Sequence, residues 1–146
     1  MLLGTLLFLF ILNPSLSFSA GDPAPKNKKI SKNSYQQGRD FISEGKWLNA
    51  VQSFKKAIQQ DKKDHKAYNM LGYSLRQSGK IAEAIGAYNR SLTLKSNYEE
   101  ALEYRAIAYA KLGKREKAMQ DYKKLLSLKS SLSDGLKEKI LKSLDK

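Results

Sequence analysis

Cysteine is absent from the 146 residues. That excludes a disulfide framework, a thiolate metal site and a cysteine nucleophile, along with the lipid-modified cysteine of a bacterial lipoprotein. Proline occurs only at Pro14, Pro23 and Pro25, so nothing later in the chain breaks a helix by that route. Histidine occurs once, as His65 between Asp64 and Lys66 at an expected helix start, where it reads as a solvated side chain. A zinc site needs several ligands at fixed spacing, and they are missing. The Gly-Lys pairs at Gly45, Gly79 and Gly113 lack the spacing of a phosphate-binding loop. Glu99 and Glu100 open a helix, where negative charge suits the dipole better than it suggests acid–base chemistry. The inventory offers no catalytic residue, metal or cofactor, and an enzyme is not expected.

A long apolar run is missing too. The longest, Leu2 to Leu12, ends at Asn13-Pro14, short of the roughly 20 residues that span a bilayer. It has the length of a secretory signal core, and Ser17-Phe18-Ser19 supplies a small-x-small cleavage site after it. Residues 1–19 are therefore read as a signal peptide whose positive end is the α-amino group alone. An uncleaved anchor and a mispredicted start codon are the competing readings. Export to a periplasm or the medium is expected, with a soluble mature protein beginning near Ala20. Acids are the scarce charge: 14 Asp and Glu against 27 Lys and Arg, a net charge of +13. Such a body favours anionic partners. Residues 20–30, with Pro23, Pro25, Lys26, Lys28 and Lys29, read as a basic flexible leader.

What is present is repetition. Gly45, Gly79 and Gly113 are separated by 34 residues, as are Ala50, Ala84 and Ala118, and the aromatics Phe54, Tyr88 and Tyr122. Phe41, Leu75 and Tyr109 form a further set, and Gly38, Gly72 and Ala106 another. Sets repeating in phase signal stacked supersecondary units. Within one unit, Ala67, Tyr68, Leu71 and Leu75 have helical spacing, Asp64 suits an N-cap and Gly79 a helix end. A second helix runs from about Ala82 to Lys95, with Ala84, Ile85, Tyr88 and Leu92 on one face. Small Gly72 and Ala84 let the two helices cross closely, and two helices alone cannot cover both apolar faces, so units must stack.

These residues resemble the tetratricopeptide repeat family, on Tyr68, Leu71-Gly72, Leu75, Gly79, Ala84, Tyr88 and Ser91 in the middle unit. The first unit matches through Gly38, Phe41, Gly45, Trp47, Ala50, Phe54 and Ala57, and the third through Leu102, Ala106, Tyr109, Gly113, Ala118, Tyr122 and Leu125. The proline usual near each repeat end is replaced by Lys62, Ser96 and Ser130. The resemblance implies an all-α, right-handed α-solenoid of three helix-turn-helix repeats, over residues 31–64, 65–98 and 99–132. A capping helix then covers residues 133–146, with Leu132, Leu136, Ile140 and Leu144 in one row.

The resemblance further implies that the first helix of each unit lines a concave groove that holds a peptide or partner protein. Its positions here are Lys32, Tyr35, Arg39 and Ile42, then Lys66, Asn69, Tyr73 and Arg76, then Glu100, Glu103, Ile107 and Ala110. For Lys32 and Lys66 simple solvation is the alternative, and for Tyr35 and Tyr73 packing within the repeat. The family's carboxylate clamp is absent, since Tyr35, Arg39 and Glu100 replace its lysine, asparagine and second lysine. The expected function is an extracytoplasmic adaptor for a protein or peptide. The alternative is an anion binder that engages envelope glycan, lipid head groups or nucleic acid through its lysines, with nucleic acid the least expected of these. Self-association through an imperfectly covered edge stays open.

Overall fold

The computed structural model describes residues 24–144. The expected signal segment, residues 20–23 and Asp145-Lys146 lie outside the described residues. Seven α-helices follow in order, with no strand among the described residues: α1 (Ala24–Ser43), α2 (Trp47–Gln60), α3 (His65–Gln77), α4 (Ile81–Leu94), α5 (Glu99–Lys111), α6 (Arg115–Ser127) and α7 (Leu136–Leu144). The helices pack pairwise, α1 on α2, α3 on α4 and α5 on α6, and successive pairs join through α2 on α3 and α4 on α5. The result is an all-α solenoid of three units closed by α7, which lies on α5 and α6.

The period has a backbone cause at each turn. Gly45, Gly79 and Gly113 adopt φ of 70°, 84° and 70°, a region that L-residues avoid. The amide after each glycine donates back to a carbonyl five residues earlier: Lys46 to Phe41 at 2.8 Å, Lys80 to Leu75 at 2.9 Å and Lys114 to Tyr109 at 2.9 Å. This 6→1 closure satisfies carbonyls that the helix end orphans and reverses the chain. Asp64 then starts α3 by accepting from the amides of Lys66 and Ala67 at 2.9 and 3.0 Å.

A second cause lies in the core. A methyl placed on Gly38 would come within 2.7 Å of the Phe54 ring, and one on Gly72 within 2.6 Å of the Tyr88 ring. Both rings are fully buried, so neither can swing aside. Glycine on the first helix and an aromatic on the second are thus two halves of one contact. Around these rings Val51, Leu71, Leu75 and Ile85 form one buried cluster. A second gathers Leu92, Leu102, Leu125, Leu136 and Ile140. Leu136 and Ile140 of α7 are completely buried, each stabilising the open end by roughly 1.5–3 kcal/mol.

One partly buried ion pair crosses the third unit. Arg105 donates from Nε and Nη2 to the two oxygens of Asp121 at 2.8 and 2.6 Å, and from Nη1 to Asn89 Oδ1 at 2.7 Å. Burial works against the arginine's charge, but the bidentate bond to Asp121 more than offsets it and raises the Arg105 pKa. The contact ties α5 to α6 and α4.

Two boundaries differ from the sequence expectation. The chain is already helical at Ala24, where composition suggested an irregular leader, because proline in a first helical turn breaks no intrahelical hydrogen bond. Packing still begins where the first repeat was placed: Ser31 is buried and its Oγ donates to the Ala57 carbonyl at 3.3 Å. At the other end the capping helix starts at Leu136. Lys129 at φ 54° and Gly135 at φ 69° enclose a 3-10 turn, Ser131–Ser133, which holds Leu132 outside the helix.

Gly72→Ala is expected to destabilise the chain by about 1–3 kcal/mol through overpacking against Tyr88. Gly86 offers the opposite case, since an added methyl there meets nothing within 4 Å, and Gly86→Ala should stabilise by roughly 0.5–1 kcal/mol. Urea unfolding of both variants checks the pair, and shifts of the same sign would contradict the contact assignment.

Candidate functional site

Where α1, α3 and α5 lie side by side, helical spacing brings every third or fourth side chain to one face. Tyr35 and Arg39 come from α1, Lys66, Asn69 and Met70 from α3, and Glu100 and Tyr104 from α5. With Lys95, Asn97, Tyr98 and Glu99 at the α4–α5 junction they enclose a cleft of about 550 Å³. Arg39, Lys66, Lys95 and Glu100 are exposed on its rim. Glu99 is engaged elsewhere, accepting from Ser130 Oγ at 2.7 Å.

The floor is polar and incompletely satisfied. Asn69 is 2% exposed; its side-chain amide lies against the Tyr98 hydroxyl, while its Oδ1 is buried without a hydrogen-bond partner. Such an acceptor costs about 1–3 kcal/mol until a donor reaches it. The walls are phenolic. Burial, and after it the Glu100 carboxylate, pushes the Tyr98 hydroxyl up to about 12. Burial also raises Tyr35 and Tyr104, the latter helped by Glu103. All three phenols therefore stay neutral and can both donate and accept.

Next to the cleft the same face becomes aromatic. Tyr73 and Tyr104 lie 5.4 Å apart, Trp47 meets Tyr73 edge-on at 6.2 Å, and Tyr88 approaches Tyr104 at 6.2 Å. The Arg76 guanidinium rests 5.3 Å from the Tyr73 ring centre and 5.7 Å from that of Tyr104. Its guanidinium lies against the Tyr88 hydroxyl, but Nε and that hydroxyl are both buried without a well-formed hydrogen bond; burial pushes Tyr88 ionisation far up, and Arg76 partly opposes it.

Of the groove residues expected from sequence, Tyr35, Arg39, Lys66, Asn69 and Glu100 meet in the cleft, while Tyr73 and Arg76 form the aromatic stretch beside it. Tyr35 does both things anticipated for it, packing edge-on against Phe54 at 5.4 Å while lining the cleft. Lys32 is exposed on α1 outside the cleft. Glu103 and Ile107 are drawn towards the cap. Lys139 of α7 approaches Glu103 at 3.4 Å and leaves its side chain 13% exposed, and Ile107 packs on the second core cluster. Ala110 is buried and Ile42 packs on the first cluster. Sequence reasoning missed Met70, Lys95, Asn97, Tyr98 and Tyr104. The last two carry a findable signal: Tyr98 precedes the helix that Tyr104 enters, and both are aromatic where the first unit has Ile30 and Gln36.

His65 departs from its expected solvated state. Its ring meets Tyr98 edge-on at 4.7 Å, and Nε2 is buried without a partner. Burial first, then the nearby Lys95 charge, lowers its pKa from the ordinary 6.5. Among the described residues no group of three or more His, Asp or Glu side chains is gathered as a metal ion would require.

Models of the tetratricopeptide repeat match residues 35–99 and 105–132. The chain is similar in structure to the first TPR of Spaghetti (RPAP3) bound to HSP90 peptide SRMEEVD. The TM-score is 0.74 at 21% identity, over 82% of this chain and 96% of that one. It is similar to the TPR2B domain of yeast Sti1 in complex with pHsp70, with TM-score 0.73 at 17% identity, over 79% and 96%. The Arabidopsis OM64 TPR domain gives 0.73 at 15% identity, over 80% and 98%. No curated protein sequence matches the chain.

His65 gives the fold a pH dependence. Its folded pKa is depressed below 6.5, so as pH falls through 6.5 the unfolded chain takes up the proton first and stability declines until the folded pKa is passed. Thermal unfolding between about pH 7.5 and about pH 5 should show this decline, and His65→Phe should reduce it. An unchanged profile in the variant would contradict the assignment.

Proposed function

This chain belongs to the tetratricopeptide repeat family, and from that premise we propose that its α1–α3–α5 face holds an extended segment of another protein. The observation that carries this reading is the Asn69 acceptor, buried and unpartnered at the floor of a cleft walled by neutral tyrosines. A peptide backbone supplies the missing N–H, and tyrosine faces give contact area at low conformational cost. In two of the similar structures a chaperone or its peptide is bound. Here Tyr35, Arg39 and Glu100 stand where the carboxylate clamp needs lysine and asparagine, and Glu100 repels a terminal carboxylate. The segment held is therefore internal to the partner's chain, and the module acts as an adaptor with no chemistry of its own.

The cations Arg39, Lys66 and Lys95 on the rim steer the partner and make its binding salt-sensitive. The reading of an anion binder rests on the net charge of +13. It differs in expecting that binding disappears altogether at high salt.

We place the module outside the cytoplasm, on the strength of the Leu2–Leu12 run and the Ser17-Phe18-Ser19 site. N-terminal sequencing of protein recovered from the source cells should read from Ala20. A start at Met1 in a cytosolic fraction would overturn this placement.

The groove assignment is tested with Arg39→Ala combined with Lys66→Ala, both exposed. Affinity for the captured partner should fall about tenfold, the scale of two exposed cations lost together, with thermal stability unchanged. Full retention of affinity would sink the assignment.

A further inference from the structure

Ile107, expected in the groove, opens onto a separate hollow. Between α5, the first turn of α4 and α7 lies a space of about 620 Å³, lined by Ile81, Ile107, Lys111, Lys139, Lys142 and Ser143. Its apolar floor lies at the seam of the core, since Ile81 packs on the first buried cluster and Ile107 on the second. Both isoleucines are half-buried, so each retains apolar surface that a ligand can cover.

The walls carry one sign of charge. Lys111 rises from the end of α5, Lys139 and Lys142 from one side of α7, and all three are exposed. Lys139 shares its charge with Glu103 at 3.4 Å. Lys111 and Lys142 form no ion pair among the described residues. An apolar floor beneath these cations is complementary to an aliphatic side chain flanked by carboxylates. It disfavours a basic segment by repulsion, and an uncharged one gains from the floor alone.

We propose that this hollow is a second compartment of the binding face, which takes an aliphatic anchor set between acidic residues of a partner protein. The proposal rests on the reading that the face holds a peptide, and it adds a register. The acidic–aliphatic part of the segment lies at α7, and its remaining part crosses the tyrosine cleft. A membrane is a poorer fit, because the isoleucines lie recessed between helices.

The test is a titration of the ¹⁵N-labelled full chain, followed by NMR, with the peptide Ac-Asp-Glu-Leu-Ile-Glu-Asp-NH2 and its Asn/Gln analogue. The acidic peptide should shift the amide signals of Ile81, Ile107 and α7. It should bind at least roughly five-fold tighter than the analogue, a preference of the size that a few exposed charges provide. Lys111→Gln combined with Lys142→Gln should abolish that preference. Equal binding of the two peptides overturns the proposal, as does a response to phosphatidylglycerol vesicles in place of the peptide. Shifts confined to the surroundings of Asn69 and Tyr98 leave peptide holding intact and remove the compartment alone. Silence along α1, α3, α5 and α7 counts against both.

Discussion

The array depends on how closely the two helices of each unit approach. At Gly38 and Gly72 a missing side chain admits the Phe54 and Tyr88 rings to distances at which no Cβ can stand. In the third unit Ala106 and Tyr122 occupy the matching positions, and the aromatic there is only half-buried. Burial of the ring fixes the crossing of the pair, and the left-handed glycine at the turn fixes its reversal. What remains of each first helix then faces away from its partner helix and can serve a ligand.

This explains which parts of the molecule were legible in the sequence. A 34-residue period reports contacts inside a unit, which every copy must make, so glycine, alanine and aromatic positions repeat. Those sets located six helices and the fold class. The contents of the groove come from meetings between units, which need not repeat. Tyr98 lines the cleft because the α4–α5 junction folds over α3. Glu103 is partly withdrawn because α7 supplies Lys139. Neither contact has a counterpart at the other junctions, so no periodicity announced it. The start of α1 was hidden for a different reason, because lysine and asparagine look alike in a leader and on the exposed side of a helix.

Polar strain is distributed unevenly over the structure. Buried side-chain atoms without partners include His65 Nε2, Asn69 Oδ1, Arg76 Nε and the Tyr88 hydroxyl, all on or just behind the face formed by the first helices. The partly buried pair Arg105–Asp121 is, by contrast, fully engaged. Buried polar groups left unsatisfied in an otherwise well-packed array are expected where stability has yielded to function. Arg76, half-buried beside two tyrosine rings, fits the same pattern, with its Nε withdrawn from solvent.

The central claim is that the partner lies along the first helices. Its most direct test places a photo-crosslinking amino acid at Tyr104, on α5 in the cleft, or at Gln120, exposed on α6, in the cells that make the protein. A discrete cross-linked partner is expected from position 104 and none from position 120. A partner trapped from position 120 and absent from position 104 would contradict the claim.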